Sequence, residues 1–228
     1  SSSAAFCLAV LDGLARTSGT ILEAEELAEL AFELEHDRLG VACGRLDPLA
    51  CVAGAPVFLR WTDGRAPLVR LRPGAPMELI LGSFSTPRDA PGILSTLQAH
   101  AADQPRADLD PRACRATRIA FRVFDAQAQA GALALEQGKT AELGEAMNRA
   151  QEAYEEHLEP HLESLRAPGL RTAVRRLRQA GALGAKFSGA GGDGSVIALF
   201  DDSTLAQSAC DLLEVTGLRA WRVSLGSR

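Results

Sequence analysis

Apolar positions recur at helical spacing from the very start of the chain. Ser1-Ser2-Ser3-Ala4-Ala5 puts hydroxyls where a helix cap belongs, and Leu8, Leu11 and Leu14 follow three apart; this predicts a helix from the first residues onward. A second helix is predicted over 22–35, with its cap near 17–20 and Leu27, Leu30, Ala31 and Leu34 on one face. Residues 39–51 read as a glycine-containing loop running into a short apolar segment. Residues 57–61 and 68–71 alternate as strands about Asp63-Gly64. Arg72-Pro73-Gly74-Ala75-Pro76 breaks every period, which places a domain boundary there and divides the chain into 1–72 and 73–228. Beyond it, strands are predicted at 77–84, 185–187, 196–200 and 219–225. Helices are predicted at 113–137, 140–156, 170–180 and 205–214. Strands interleaved with helices, without a repeat, imply an α+β layered fold.

Composition narrows the partners. The 228 residues carry a net charge of −5 with a pI near 5.5, which gives a nucleic-acid role no electrostatic support. Aromatic residues are 5%, too few for a base-stacking platform. No apolar run approaches the ~18 residues of a spanning helix, and no basic segment precedes the apolar run 4–10 as a signal peptide requires. The five cysteines form no CxxC pair, so free, mostly buried thiols in a reducing cytoplasm are expected. The chain opens on a helix start rather than Met, so further sequence upstream is expected.

Three constellations carry possible chemistry. The first is the helix start at Ser1, Ser2 and Ser3, where open N–H groups and the positive end of the helix dipole suit a phosphate. The second runs from Glu35 to Asp47. Gly44 permits a bend that turns Asp47 back toward Glu35, so that one carboxylate can hold a metal and the other accept a hydroxyl proton. The third is Gly184-Ala185-Lys186-Phe187-Ser188-Gly189-Ala190-Gly191-Gly192-Asp193-Gly194-Ser195. Its five glycines exceed what a plain hairpin needs, and it ends in neither a Walker A lysine nor a dinucleotide helix. Lys186 reads equally as a phosphate partner or as a cover for the loop. His157 and His161 are interrupted by Pro160 and sit among Glu155, Glu156, Glu159 and Glu163, a solvated acidic face rather than a metal site.

In order and spacing these three segments resemble the GHMP kinase superfamily of galactokinase, homoserine kinase, mevalonate kinase and phosphomevalonate kinase. Ser1 to Ala5 is similar to the end of that family's phosphate loop, without its Pro-Gly-rich half. Cys43-Gly44-x-x-Asp47 is most similar to galactokinase, and Gly184–Ser195 is closer to mevalonate and heptose kinases. The resemblance implies a two-domain arrangement: the remainder of an N-terminal α+β ATP-binding domain over 1–72, then a ferredoxin-like C-terminal domain over 73–228. It implies that ATP and Mg²⁺ are bound, with Ser3 and Glu35 as metal ligands and Ser1 and Ser2 on the nucleotide phosphates. Gly189, Ala190, Gly191 and Gly192 would pack beside the phosphate loop. Asp47 would act on the substrate hydroxyl and Gly44 would lie against the substrate. The activity implied is phosphorylation of a small metabolite, a sugar first and mevalonate second, by a cytoplasmic enzyme without nucleic-acid or membrane partners.

Two departures matter. Pro48 follows Asp47 where galactokinases usually have Gln, and Asp193 brings negative charge to the glycine loop. Both lend some weight to a non-catalytic nucleotide- and sugar-binding relative. The related decarboxylase of the mevalonate route is disfavoured by the Glu35 and Asp47 pairing. With half the phosphate loop absent, the chain by itself is expected to be inactive and to expose an apolar face.

Overall fold

The computed structural model describes residues 2–60, 68–85, 89–104 and 106–226. The chain forms two compact units, Ser1–Arg72 and Pro73–Arg228. Among the described residues no helix is long and apolar enough to cross a membrane.

The first unit holds α1 (Ser2–Thr17), α2 (Ala24–Glu33), a π-helical turn (Leu34–Arg38), α3 (Leu46–Ala53) and an antiparallel pair, β1 (Val57–Leu59) and β2 (Leu68–Arg70). The predicted turn at Asp63-Gly64 lies outside the described residues. The three helices pack on one another through Ala4 and Leu8 of α1, Ala28, Ala31 and Phe32 of α2, and Pro48 of α3. Much of α1 stays uncovered, with Phe6, Val10 and Leu14 exposed. The cap of α2 is not near 17–20 as expected. It is Glu23, whose N–H donates to Glu26 Oε2 at 3.1 Å, a reciprocal cap that a reading limited to Ser and Thr misses. Residues 46–53 are a helix rather than a loop. Pro48 does not prevent it, because a first-turn residue needs no N–H partner within its helix.

In the second unit β3 (Met77–Ser83), β4 (Gly184–Ser188), β5 (Ser195–Phe200) and β6 (Arg219–Leu225) form an antiparallel sheet in the order β4-β5-β3-β6. With α7 (Pro168–Gln179) and α8 (Ser203–Val215) this is the ferredoxin-like β-α-β-β-α-β winding, and α4 (Ala90–Ala101), α5 (Pro111–Glu136) and α6 (Thr140–His157) are inserted after its first strand. Alternate strand positions carry the core: Ile80, Ala185, Phe187, Val196, Ala198 and Phe200 pack with Leu170, Val174 and Leu177 of α7 and Ala206, Ala209 and Leu213 of α8.

Helix α6 closes the outer edge of β4. Asn148 Oδ1 accepts from the Ala185 N–H at 3.1 Å, and Gln151 Oε1 accepts from the Phe187 N–H at 2.8 Å. Side chains three apart on a helix thus match N–H groups two apart on a strand, and the edge is left with little capacity to pair further. Helix α4 was not anticipated, and Pro91 and Gly92 stand in its first turn. Asp89 Oδ1 caps it by accepting from the Gly92 N–H at 3.0 Å.

Candidate functional site

In the first unit, Glu35 sits on the π-helical turn. The Leu39 N–H reaches Leu34 O at 3.0 Å, and the Val41 N–H reaches Glu35 O at 2.9 Å. Such turns break the helical period and re-aim a side chain. The chain then reverses through Gly40, at φ +68°, a left-handed backbone that suits glycine. The bend expected at Gly44 is therefore made at Gly40. Gly44 is exposed, and a Cβ there would meet nothing within 4 Å.

Glu35 is only 5% exposed. Among the described residues its carboxylate has no hydrogen bond and no ion pair. Its oxygens are not among the fully buried side-chain atoms that lack a hydrogen-bond partner, which among the described residues are Glu159 Oε2 and Arg178 Nε, so the carboxylate keeps an edge open to solvent. Its neighbours are identified by the groups it perturbs. Burial first, then the Glu35 charge, pushes the Cys7 thiol up. The Cys43 thiol is raised by burial, then by Glu35, Asp47 and Asp37, and by Cys7. Glu35 and Asp47 therefore both lie within electrostatic reach of the Cys43 sulfur. Cys7 lies one turn beyond Ser3 on α1, which puts Ser3 on the same helix face. Asp47 is exposed in the first turn of α3, where the helix dipole favours a carboxylate. Glu35 and Asp47 thus share the Cys43 thiol as a neighbour, and Ser3 lies on the α1 face that carries Cys7. Ser1 lies outside the described residues, and so does the side chain of Ser2.

Gly189, Ala190, Gly191 and Gly192 belong to the β4–β5 loop of the second unit, and packing within that unit accounts for much of their composition. A Cβ on Gly191, at φ +88°, would overlap the Tyr154 hydroxyl, and one on Gly192 would come 2.7 Å from Ile93 Cδ1. Tyr154 is itself fixed. Its hydroxyl donates to Leu165 O at 2.9 Å, and its ring meets Phe187 edge-on at 5.0 Å.

Asp193 also has an internal partner. Its Oδ1 accepts from the Leu170 N–H at 3.3 Å, in the first turn of α7. The cap residue of α7 is Ala167, which has no acceptor of its own. Glu159 serves the same end, accepting from the Ala167 N–H at 3.4 Å and pairing with Arg171. The reading of Glu159 as part of a solvated acidic face is corrected by its 3% exposure. Both carboxylates are drawn to open N–H groups at a positive helix end. Lys186 is turned onto its own strand: its Nζ donates to Phe187 O of β4, and burial lowers its pKa.

The cysteines are free, but only Cys114 and Cys210 are buried; Cys7 and Cys43 are half-buried and Cys51 is exposed. Sequence reasoning missed Arg45 and Glu29. Arg45 Nε and Nη2 bind both oxygens of Glu29, at 2.6–3.1 Å. Among the described residues no group of three or more His, Cys, Asp or Glu side chains is placed to hold a metal.

Comparison with known proteins gives one family for both units. The model described as GHMP kinases N terminal domain matches residues 1–55, and that described as GHMP kinases C terminal matches residues 132–213. A mevalonate kinase of Aeropyrum pernix is 32% identical over 216 residues, which are 93% of this chain and 60% of that protein. The chain thus spans about 60% of the length of this relative. Among solved structures, L. major mevalonate kinase in complex with R-mevalonate aligns with a TM-score of 0.75 at 19% identity, over 98% of this chain and 64% of that one. Lactococcus lactis galactokinase complexed with galactose aligns with a TM-score of 0.74 at 21% identity, over 100% of this chain and 66% of that one. At those identities the two structures establish the fold alone.

Proposed function

The chain belongs to the GHMP kinase superfamily, and on that premise we propose that the whole protein transfers the γ-phosphoryl group of ATP to a hydroxyl of a small metabolite. A mevalonate-type hydroxy acid comes ahead of a sugar, because the 32% identical relative is a mevalonate kinase. This reverses the order that the Cys43-Gly44-x-x-Asp47 segment alone favours. That segment remains the reason to keep a sugar as the second reading.

The observation that carries the proposal is the Glu35 carboxylate, which has no hydrogen bond or ion pair among the described residues and lies within reach of the same thiol as Asp47. Phosphoryl transfer needs positioning and charge neutralisation more than covalent chemistry. A carboxylate without a partner among the described residues fits a hard cation, and Mg²⁺ commonly takes one or two protein oxygens and completes its shell with phosphates and water. The lack of a three-ligand cluster is consistent with that use. Glu35 and Ser3 would hold Mg²⁺, which when bound neutralises phosphate charge. The first N–H groups of α1, with Ser1 and Ser2, would receive the nucleotide phosphates. Asp47 would accept the substrate hydroxyl proton or hold that hydroxyl by its charge, and Gly44 would lie against the substrate. The β4–β5 glycine loop enters this reading through the family likeness only.

The two departures no longer weigh toward a non-catalytic relative. Pro48 is buried where a proline costs the helix nothing, and Asp193 caps α7. The test is Mg²⁺- and ATP-dependent phosphorylation by the whole protein, assayed with mevalonate and with galactose. Asp47→Ala is expected to lower turnover by about 10³-fold. Turnover that survives the substitution removes Asp47 from the chemistry, and phosphorylation of galactose alone restores the sugar reading.

A further inference from the structure

We propose that Arg45 is a positioning residue for Asp47, bolting the first turn of α3 to the helix that leads into Glu35. The inference rests on the kinase reading for its meaning, and on geometry of its own for the contact. Arg45 is the cap residue of α3, two positions before Asp47. Its side chain reaches back to Glu29 on α2. Nε lies 3.1 Å from Oε1 and 2.9 Å from Oε2, and Nη2 lies 2.6 Å from Oε1. The guanidinium carbon stands 3.9 Å over the Phe32 ring centroid. Phe32 is buried, and it stacks on His36 at 4.9 Å and 22°. His36 follows Glu35 in the chain and is held to Asp37 at 2.8 Å.

One run of contacts thus joins the residue two before Asp47 to the residue next to Glu35. An isolated surface ion pair fixes little. This pair differs on three counts: it is doubly bonded, its cation is stacked on a buried ring, and its partners are sixteen residues apart on different helices. A planar fork pinned between a carboxylate and an aromatic face has one orientation. Lysine, a single point charge, cannot reproduce it. Nearby acids add to the hold: the Arg45 cation is favoured first by its bond to Glu29, then by the charges of Glu29, Asp37 and Glu33. The spacing between Asp47 and Glu35 is therefore set by a clamp outside the pair.

Two readouts on the whole protein test this. The first is the pH profile of Cys43 alkylation by iodoacetamide, followed by mass spectrometry, because the Cys43 thiol registers Glu35 and Asp47 together. In Arg45→Gln and Glu29→Gln, release of the α3 turn is expected to move the profile to lower pH and speed alkylation about threefold near neutrality. Loss of burial alone would move the midpoint as far in an Asp47→Ala background as in the parent, whereas release of Asp47 moves it less there. The second readout is kinetic: kcat is expected to fall about tenfold while KM for ATP stays within about twofold.

Arg45→Lys, which keeps the charge and is the variant less prone to misfold, should lie between the parent and Arg45→Gln in both readouts. The double variant should do no worse than either single one. An unmoved Cys43 midpoint with unchanged kcat, whatever happens to thermal stability, overturns the clamp. If Asp47→Ala keeps its turnover, the kinase reading of Asp47 fails, while a shifted midpoint in Arg45→Gln still stands for the clamp. If Asp47→Ala is dead and the midpoint does not move, the clamp alone is lost.

Discussion

In the β4–β5 loop the unusual residues lean on neighbours within their own unit, whereas on the π-helical turn the unusual residue leans on nothing described. Gly191 makes room for Tyr154, Gly192 makes room for Ile93, and Asp193 satisfies the start of α7. Glu35 is 5% exposed, and among the described residues its carboxylate has neither a donor nor a cation. Residues with internal partners repay the fold directly. A carboxylate without one adds little to the fold and stays available to a cation that arrives. Substitutions in the two regions should therefore act with opposite balance between stability and binding.

The largest effect is expected at Gly191. In Gly191→Ala the new Cβ would overlap the Tyr154 hydroxyl at a φ of +88°, for an expected loss of about 3 kcal/mol or more. Chemical denaturation followed by circular dichroism measures it. Tyr154→Phe in the same chain removes the closest overlapping atom and should return only part of the loss, because the ring carbons still crowd the new Cβ at 2.5 and 2.9 Å and the bond to Leu165 O is gone. An unchanged midpoint in Gly191→Ala would mean that packing does not hold the loop, and the contrast between the regions would collapse.

Glu35→Gln should behave in the opposite sense. It keeps the shape and removes a charge without an internal partner among the described residues, so stability should change by less than about 1 kcal/mol. Affinity for ATP in the presence of Mg²⁺ should fall by about thirtyfold, read by titration calorimetry, while affinity without Mg²⁺ should change much less. A marked loss of stability would show that the carboxylate has a structural partner after all. Glu35 would then join the loop residues instead of contrasting with them.

Regular elements with strong periods were legible from the chain itself. The observed α5, α6, α7 and α8 lie within two residues of expectation at either end, and β6 spans 219–225 as expected. What escaped was short and punctuated by proline or glycine. Helices α3 and α4 carry Pro48 and Pro91 in their first turns, where the residue is compatible with a helix although it gives no helical signal of its own. The site was legible as residue types: Glu35 and Asp47 were singled out by their chemistry. What tunes it was not, because a fork such as Arg45 on Glu29 joins residues that no local period connects. The same limit explains the glycine loop. Five glycines signal close approach, but only coordinates say that the approaching atoms belong to Tyr154 and Ile93 rather than to a ligand.

The smallest effect on the fold, and the sharpest test of the contrast, is Gly44→Ala. Gly44 is exposed, a Cβ there would meet nothing within 4 Å, and its backbone is not left-handed. Folding therefore gives no reason for a glycine at this position, and stability should change by less than about 0.5 kcal/mol. If Gly44 lies against the substrate, the added methyl group will be felt there instead, as a rise of about fivefold in KM for the phosphoryl acceptor with kcat and the ATP response unchanged. The variant thus isolates substrate approach from every structural role, which no residue of the β4–β5 loop allows. Unchanged kinetics for both mevalonate and galactose would place the acceptor elsewhere and leave Asp47 without the substrate contact assigned to it. A loss for one acceptor only would identify which of the two the site is shaped to hold.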